Sequence, residues 1–138
     1  MIEVVNRQRS KRVTTRKWTL LTAKMLQVIG KPDASVTIAF VSDARIRELN
    51  LRFRDIDKAT DILSFPNADA TADNNLGDLA ISLSRAARQA RENDLEFDQE
   101  IAQLILHGLL HLCGYDHETD NGEMNRLELR LRRKLKIQ

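Results

Sequence analysis

Cysteine, proline and aromatic side chains are scarce in these 138 residues, and each scarcity excludes something. Cys113 is the only cysteine, so no intramolecular disulfide can form, which suits a reducing cytoplasm. Prolines stand only at Pro32 and Pro66, each placed as a stop, and no linker, repeat or low-complexity segment separates a second domain. Aromatics make up 4% of the chain, too few for base stacking to be the main grip on a nucleic acid. No apolar run is long enough for a signal peptide or a membrane span, so a cytoplasmic protein without a membrane partner is expected. Hydrophobic content of 42% and charged content of 30% are ordinary for one globular domain over residues 1–138.

Histidine is also rare, but it is concentrated. The three histidines, His107, His111 and His117, fall within eleven positions, in His107-Gly-Leu-Leu-His111-Leu-Cys-Gly-Tyr-Asp-His117. Residues four apart on a helix are about 400° apart in rotation, so His107 and His111 project from one face. Gly114 can take the left-handed conformation that ends a helix and lets the chain bring His117 back to the same point. Three neutral imidazoles with a fourth position left for water is the arrangement of a catalytic zinc site, although imidazole also suits nickel, copper and iron. From Asp98 to Cys113 the helix is apolar nearly all round, apart from a stripe of Glu100, Gln103, His107 and His111. Cys113 lies roughly on the opposite side and reads as core. Asp116 could be a fourth ligand, orient a ligand, or cap the turn. The spacing matches the metzincin signature H-E-x-x-H-x-x-G-x-x-H except at its second position, where Gly108 replaces the glutamate that serves those peptidases as general base.

Net charge is +2 and unevenly spread. Residues 1–31 carry a balance of +7, residues 126–138 of +5, and the acidic middle of −10. Arg7, Arg9, Lys11, Arg12, Arg16 and Lys17 are candidates for a polyanion-facing surface, as are Arg126, Arg130, Arg133 and Lys134; a solvated face is the alternative for both groups.

Hydrophobic periodicity predicts a strand at Ile2–Val5, a helix over 14–29, a strand through Val36, Ile38 and Phe40, and a Ser42-capped helix with Ile46, Leu49 and Phe53 on one face. A strand at Asp61–Phe65, a polar loop from Asn67 to Asn75 expected to be flexible, and a strand at Leu76–Leu83 follow. Ser84 is expected to cap a short helix to about Asn93, and the histidine helix comes next. Asp120 and Glu123 have capping-box spacing for a last helix that buries Met124, Leu127, Leu131 and Leu135. This order, β-α-β-α-β-β-α-α-α, predicts an α+β domain with a small mixed four-stranded sheet, packed helices and a buried, zincin-like metal helix.

The histidine motif, with Thr60-Asp-Ile-Leu-Ser-Phe-Pro66 and Gly77-Asp-Leu-Ala-Ile81 in the same order, resembles the YbeY family of bacterial ribosomal-RNA maturation endoribonucleases. The resemblance implies a metal-dependent endoribonuclease acting on single-stranded RNA at the 3′ end of small-subunit ribosomal RNA, with a role in ribosome quality control. It implies the ribosome or its small subunit as partner, with no DNA partner, and leaves the oligomeric state open. It also implies Zn²⁺ on His107, His111 and His117, and a functional arginine at Arg54, which from the residues alone could instead pair with Asp55, Asp57 or Asp61. Ala59 departs from the proline usual before the Thr-Asp pair, which changes loop rigidity rather than chemistry. A metallopeptidase and a non-catalytic zinc-containing assembly factor are the rival readings.

Overall fold

The computed structural model describes residues 1–69 and 74–138. Nine elements follow in the expected order: β1 (Ile2–Asn6), α1 (Thr15–Ile29), β2 (Ser35–Val41), α2 (Asp43–Arg54), β3 (Ile62–Pro66), β4 (Asn75–Ser82), α3 (Leu83–Glu92), α4 (Phe97–Leu112) and α5 (Glu123–Leu135). The middle of the expected 67–75 loop lies outside the described residues.

The strands form one sheet in the order β1-β2-β4-β3. β1, β2 and β4 are parallel, whereas β3 pairs antiparallel with β4 through Leu63↔Ala80 and Phe65↔Asp78. Alternation divides the sheet into two faces. Val36, Ile38, Phe40, Leu79 and Ile81 join Trp18, Leu26, Ile105, Leu109 and Leu131 in the main core, so α1, α4 and α5 cover that face. Leu63, Ala80 and Val41 pack with Ile46 of α2 on the other.

Helix ends follow local chemistry. Gly30 closes α1 at φ 95°, a left-handed conformation that glycine adopts without penalty. Ser42 accepts from the Arg45 N–H, as its position predicts. Two expected caps differ. α3 is capped by Ser82 rather than Ser84, because the Ser82 hydroxyl accepts from Arg85 N–H at 3.3 Å and donates to Asp43 at 2.9 Å. At α5, Gly122 is the capping residue, and Asp120 accepts from the N–H groups of Gly122 and Met124 at 2.8 and 2.9 Å while Glu123 accepts from Asn121. The expected Asp120–Glu123 capping box therefore does not form: each side chain accepts from the N–H one residue beyond its capping-box partner.

Phe53 also departs from expectation. It is 59% exposed instead of sharing the buried face with Ile46. Among the described residues β3 is the last strand of the sheet, and no further strand covers the ring beyond Phe65.

Gly77 fixes how β3 meets β4. Its φ is +129°, and a Cβ there would lie 2.2 Å from the Phe65 carbonyl oxygen. Only glycine permits this backbone approach.

Candidate metal centre

α4 is held at both ends. A Glu96–Gln99 capping box starts it, and after Leu112 the chain turns at Gly114, φ 99°, with Tyr115 N–H donating to the Leu110 carbonyl at 3.1 Å. The turn continues through Asp116, whose carboxylate accepts from Glu118 N–H at 3.0 Å. Asp116 therefore closes the turn, and among the described residues the converging ligand atoms are those of His107, His111 and His117, all within 4.8 Å of one another.

Two contacts fix which nitrogens are available. His107 Nδ1 lies 2.7 Å from Glu128 Oε1, and His111 Nδ1 lies 3.0 Å from the Tyr115 carbonyl oxygen. An ionised carboxylate and a carbonyl only accept, so both Nδ1 atoms carry a proton, and in the neutral ring each Nε2 is left with the lone pair that a metal takes. Those Nε2 atoms face each other at 3.1 Å. Two lone pairs at that distance repel unless a proton or a metal cation is shared between them, and nitrogens bound tetrahedrally at Zn–N lengths sit about 3.3 Å apart. Burial, reinforced by the nearby His107, holds His111 below the ordinary imidazole value, which favours the neutral ligand form. The donor set fits a divalent ion.

Glu128 is the site residue that sequence reasoning passed over. It is 6% exposed and bridges His107 to Arg132, whose Nη2 lies 2.6 Å from Oε2. Burial raises the Glu128 carboxyl, but His107 and Arg132 outweigh it and hold the group below its usual range. Its signal was positional: four residues after Met124 and three before Leu131, it lies inside the apolar stripe of α5.

The rest of the polar stripe on α4 serves other ends. Gln103 donates to the Ile137 carbonyl at 2.7 Å and ties the C-terminal segment down. Glu100, 6% exposed, has its carboxyl pushed up by burial and by Asp61. With its amide nitrogen facing the two carboxylates, Gln89 donates to Glu100 at 3.0 Å and to Asp61 at 3.3 Å. Cys113 is half-buried against the core, where burial raises its thiol.

Arg54 arrives from the opposite face of the sheet. α2 ends at Asp55 with φ 57°, and buried Asn50 donates to the Lys58 carbonyl at 2.9 Å, which pins the following loop. Arg54 donates to the Ser64 carbonyl at 3.2 Å across the edge strand. It has no ion pair among the described residues; Asp57 pairs with Arg47 instead. Arg54, Ser64, Pro66, Tyr115 and the three histidines line one open cavity of about 520 Å³. The basic stretch near the N-terminus is not brought there: Arg9, Lys11 and Arg12 line a separate cavity beside Trp18, and Lys17 pairs with Asp98. At the other end of the chain, Arg132 and Arg133 line a neighbouring cavity that reaches the far side of His107.

Residues 3–136 match the family model described as Endoribonuclease YbeY. The chain is 50% identical over 113 residues to the Endoribonuclease YbeY of Solibacter usitatus, covering 82% of this chain and 74% of that one. It is 48% identical over 105 residues to that of Nautilia profundicola, covering 76% and 75%. The solution structure of TM1509 from Thermotoga maritima superposes with a TM-score of 0.69 at 28% identity, over 98% of this chain and 89% of that one. A match along nearly the whole sequence, with relatives of about half-identical sequence and the same fold, establishes that the chain belongs to the YbeY family.

Proposed function

We propose that residues 1–138 form one zinc-dependent endoribonuclease domain that cleaves single-stranded RNA. The small-subunit ribosomal RNA, near its 3′ end, is the substrate, and the ribosome in the cytoplasm is the setting. The relatives' names supply the endoribonuclease class. One observation supports metal-dependent phosphodiester chemistry: three imidazoles converge on a cavity that Arg54 also lines, while the ribosomal-RNA substrate and setting rest on the family resemblance.

When bound, the ion supplies Lewis acidity at a phosphoryl oxygen and lowers the pKa of water. His107, His111 and His117 hold it, and Glu128 keeps the His107 proton on Nδ1 so that Nε2 faces the cavity. Arg54 spends one donor on Ser64 and keeps the others of its planar fork for the non-bridging oxygens, where charge develops during displacement.

The test is cleavage of a single-stranded oligoribonucleotide by metal-quantified protein. Chelation, His111→Ala and Arg54→Glu should each abolish cleavage, with Arg54→Glu still folded and still holding one metal per chain. Cleavage that survives chelation and His111→Ala refutes the metal-dependent reading; hydrolysis of unstructured peptides in its place would move the chain to the peptidases.

A further inference from the structure

α2 carries four arginines, and they divide into two kinds. Arg45 pairs with Glu48 at 2.8 Å and Arg47 with Asp57 at 2.7 Å. Arg52 and Arg54, at the other end of the helix, have no ion pair among the described residues. Between them stands Phe53, 59% exposed. Its ring is braced by Phe65, with centroids 5.4 Å apart and planes at 71°, and the Arg52 guanidinium lies 5.5 Å from its centroid. β3 connects this ring to the histidines. Ser64 and Pro66 line the histidine cavity, Phe65 between them faces α2, and Arg54 crosses the strand between the two sides. An aromatic ring 59% exposed with the Arg52 guanidinium over it, one strand's width from the histidine cavity that Arg54 lines, has the composition of a single-strand stacking platform.

We propose that Phe53 stacks the nucleobase adjoining the phosphate that Arg54 holds, which rests on the endoribonuclease reading above. A phenyl ring has no hydrogen-bonding edge, so the platform accepts any base and favours purines for their larger face. It also supplies a reason for single-strand preference, because bases in a duplex are already stacked on one another and offer it no free face. Leu51 and Ile56, apolar and 46% and 45% exposed, lie within three residues of Phe53 in sequence. A protein partner is the competing occupant, but the unpaired Arg52 and Arg54 beside the ring favour a polyanion.

The experiment measures binding of a short single-stranded RNA carrying one 2-aminopurine to chelated, uncleaving full-length protein, with cleavage assayed in parallel on metal-loaded protein. Phe53→Leu should weaken single-strand binding roughly five- to a hundredfold and abolish the quenching of 2-aminopurine emission. Phe53→Trp should restore both, weak duplex binding should not change, and Leu20→Ala, at an exposed apolar position on α1, should match the parent. Unchanged single-strand affinity in Phe53→Leu, or loss without rescue by Phe53→Trp, overturns the platform even where the parent cleaves RNA. A parent that neither binds nor cleaves RNA overturns the endoribonuclease reading and the platform with it.

Discussion

Glu128→Gln tests whether the buried carboxylate sets the metal affinity of the site. Glu128 presents two acceptor oxygens to two donors, His107 Nδ1 at 2.7 Å and Arg132 Nη2 at 2.6 Å. Glutamine has the same shape but one acceptor oxygen. If that oxygen faces Arg132, the amide nitrogen donates to His107 Nδ1, moves the ring proton to Nε2 and blocks the ligand atom. If it faces His107, an amide N–H opposes a guanidinium N–H in a pocket where the side chain is 7% exposed. Either arrangement raises the energy of the binding-competent state. Removal of a carboxylate behind a ligating histidine typically costs 10- to 100-fold in affinity, or about 1.4–2.7 kcal/mol. Competition titration with a chromophoric chelator, on folded and initially metal-free protein, should show a loss in that range. Binding as tight as the parent's would refute the assigned tautomer and the role of Glu128. Glu128→Ala is a poorer test, because it leaves Arg132 half-buried without its carboxylate and destabilises the fold.

Two further substitutions probe the frame around the site. Gly77→Ala forces a left-handed φ on an L-residue and drives Cβ to 2.2 Å from the Phe65 carbonyl oxygen, so urea unfolding should show a loss of about 3 kcal/mol or more; a loss below about 1 kcal/mol refutes the close approach. Glu100 is a pH prediction. Burial and Asp61 raise its carboxyl in the folded state, so the folded protein binds this proton more tightly than the unfolded chain, and stability falls as pH rises through the raised value. Glu100→Gln should therefore raise the melting temperature at pH 7, and the gain should vanish in acid, where the parent's Glu100 is protonated as well. An equal gain at both pH values, or none, refutes the assignment.

The order of the nine elements was legible because several have a clean period, Val36, Ile38 and Phe40 in steps of two and Trp18, Leu21 and Met25 in steps of three and four, and stops or caps such as Pro66 mark others. The histidine cluster was legible for the same reason, since four-residue spacing and a following glycine imply convergence on any helix. Arg54 came from resemblance alone, because its place beside the histidines depends on α2 ending at the edge of the sheet, on the face opposite α4. Glu128 was hidden by its surroundings: among six basic residues it reads as a solvated acid, and only its register with Met124 and Leu131 marks it as buried. Phe53 was misplaced for a related reason. A helical face marks which residues could be buried, but not where the sheet beneath them stops.

Gly108, where the peptidase signature has its glutamate, has a structural explanation. A Cβ there would lie 2.7 Å from Ile62 Cδ1 and 2.8 Å from Leu79 Cδ2, so this side of α4 rests directly on β3 and β4. A glutamate at 108 would start into apolar packing rather than toward the histidines, and it could not work as a base without moving the helix off the sheet. The edge of β3 adds to this. An extended peptide docks on such an edge by pairing with its free N–H and C=O groups. Here the Asp61 carboxylate takes the Ile62 N–H at 2.8 Å, Arg54 takes the Ser64 carbonyl at 3.2 Å, and Pro66 has no N–H to give. The same guanidinium that blunts the edge stands in the histidine cavity, so the feature that disfavours a peptide strand favours a phosphate. The ligand spacing shared with the metzincins is thus set in a cavity whose edge presents the Arg54 guanidinium rather than free strand groups.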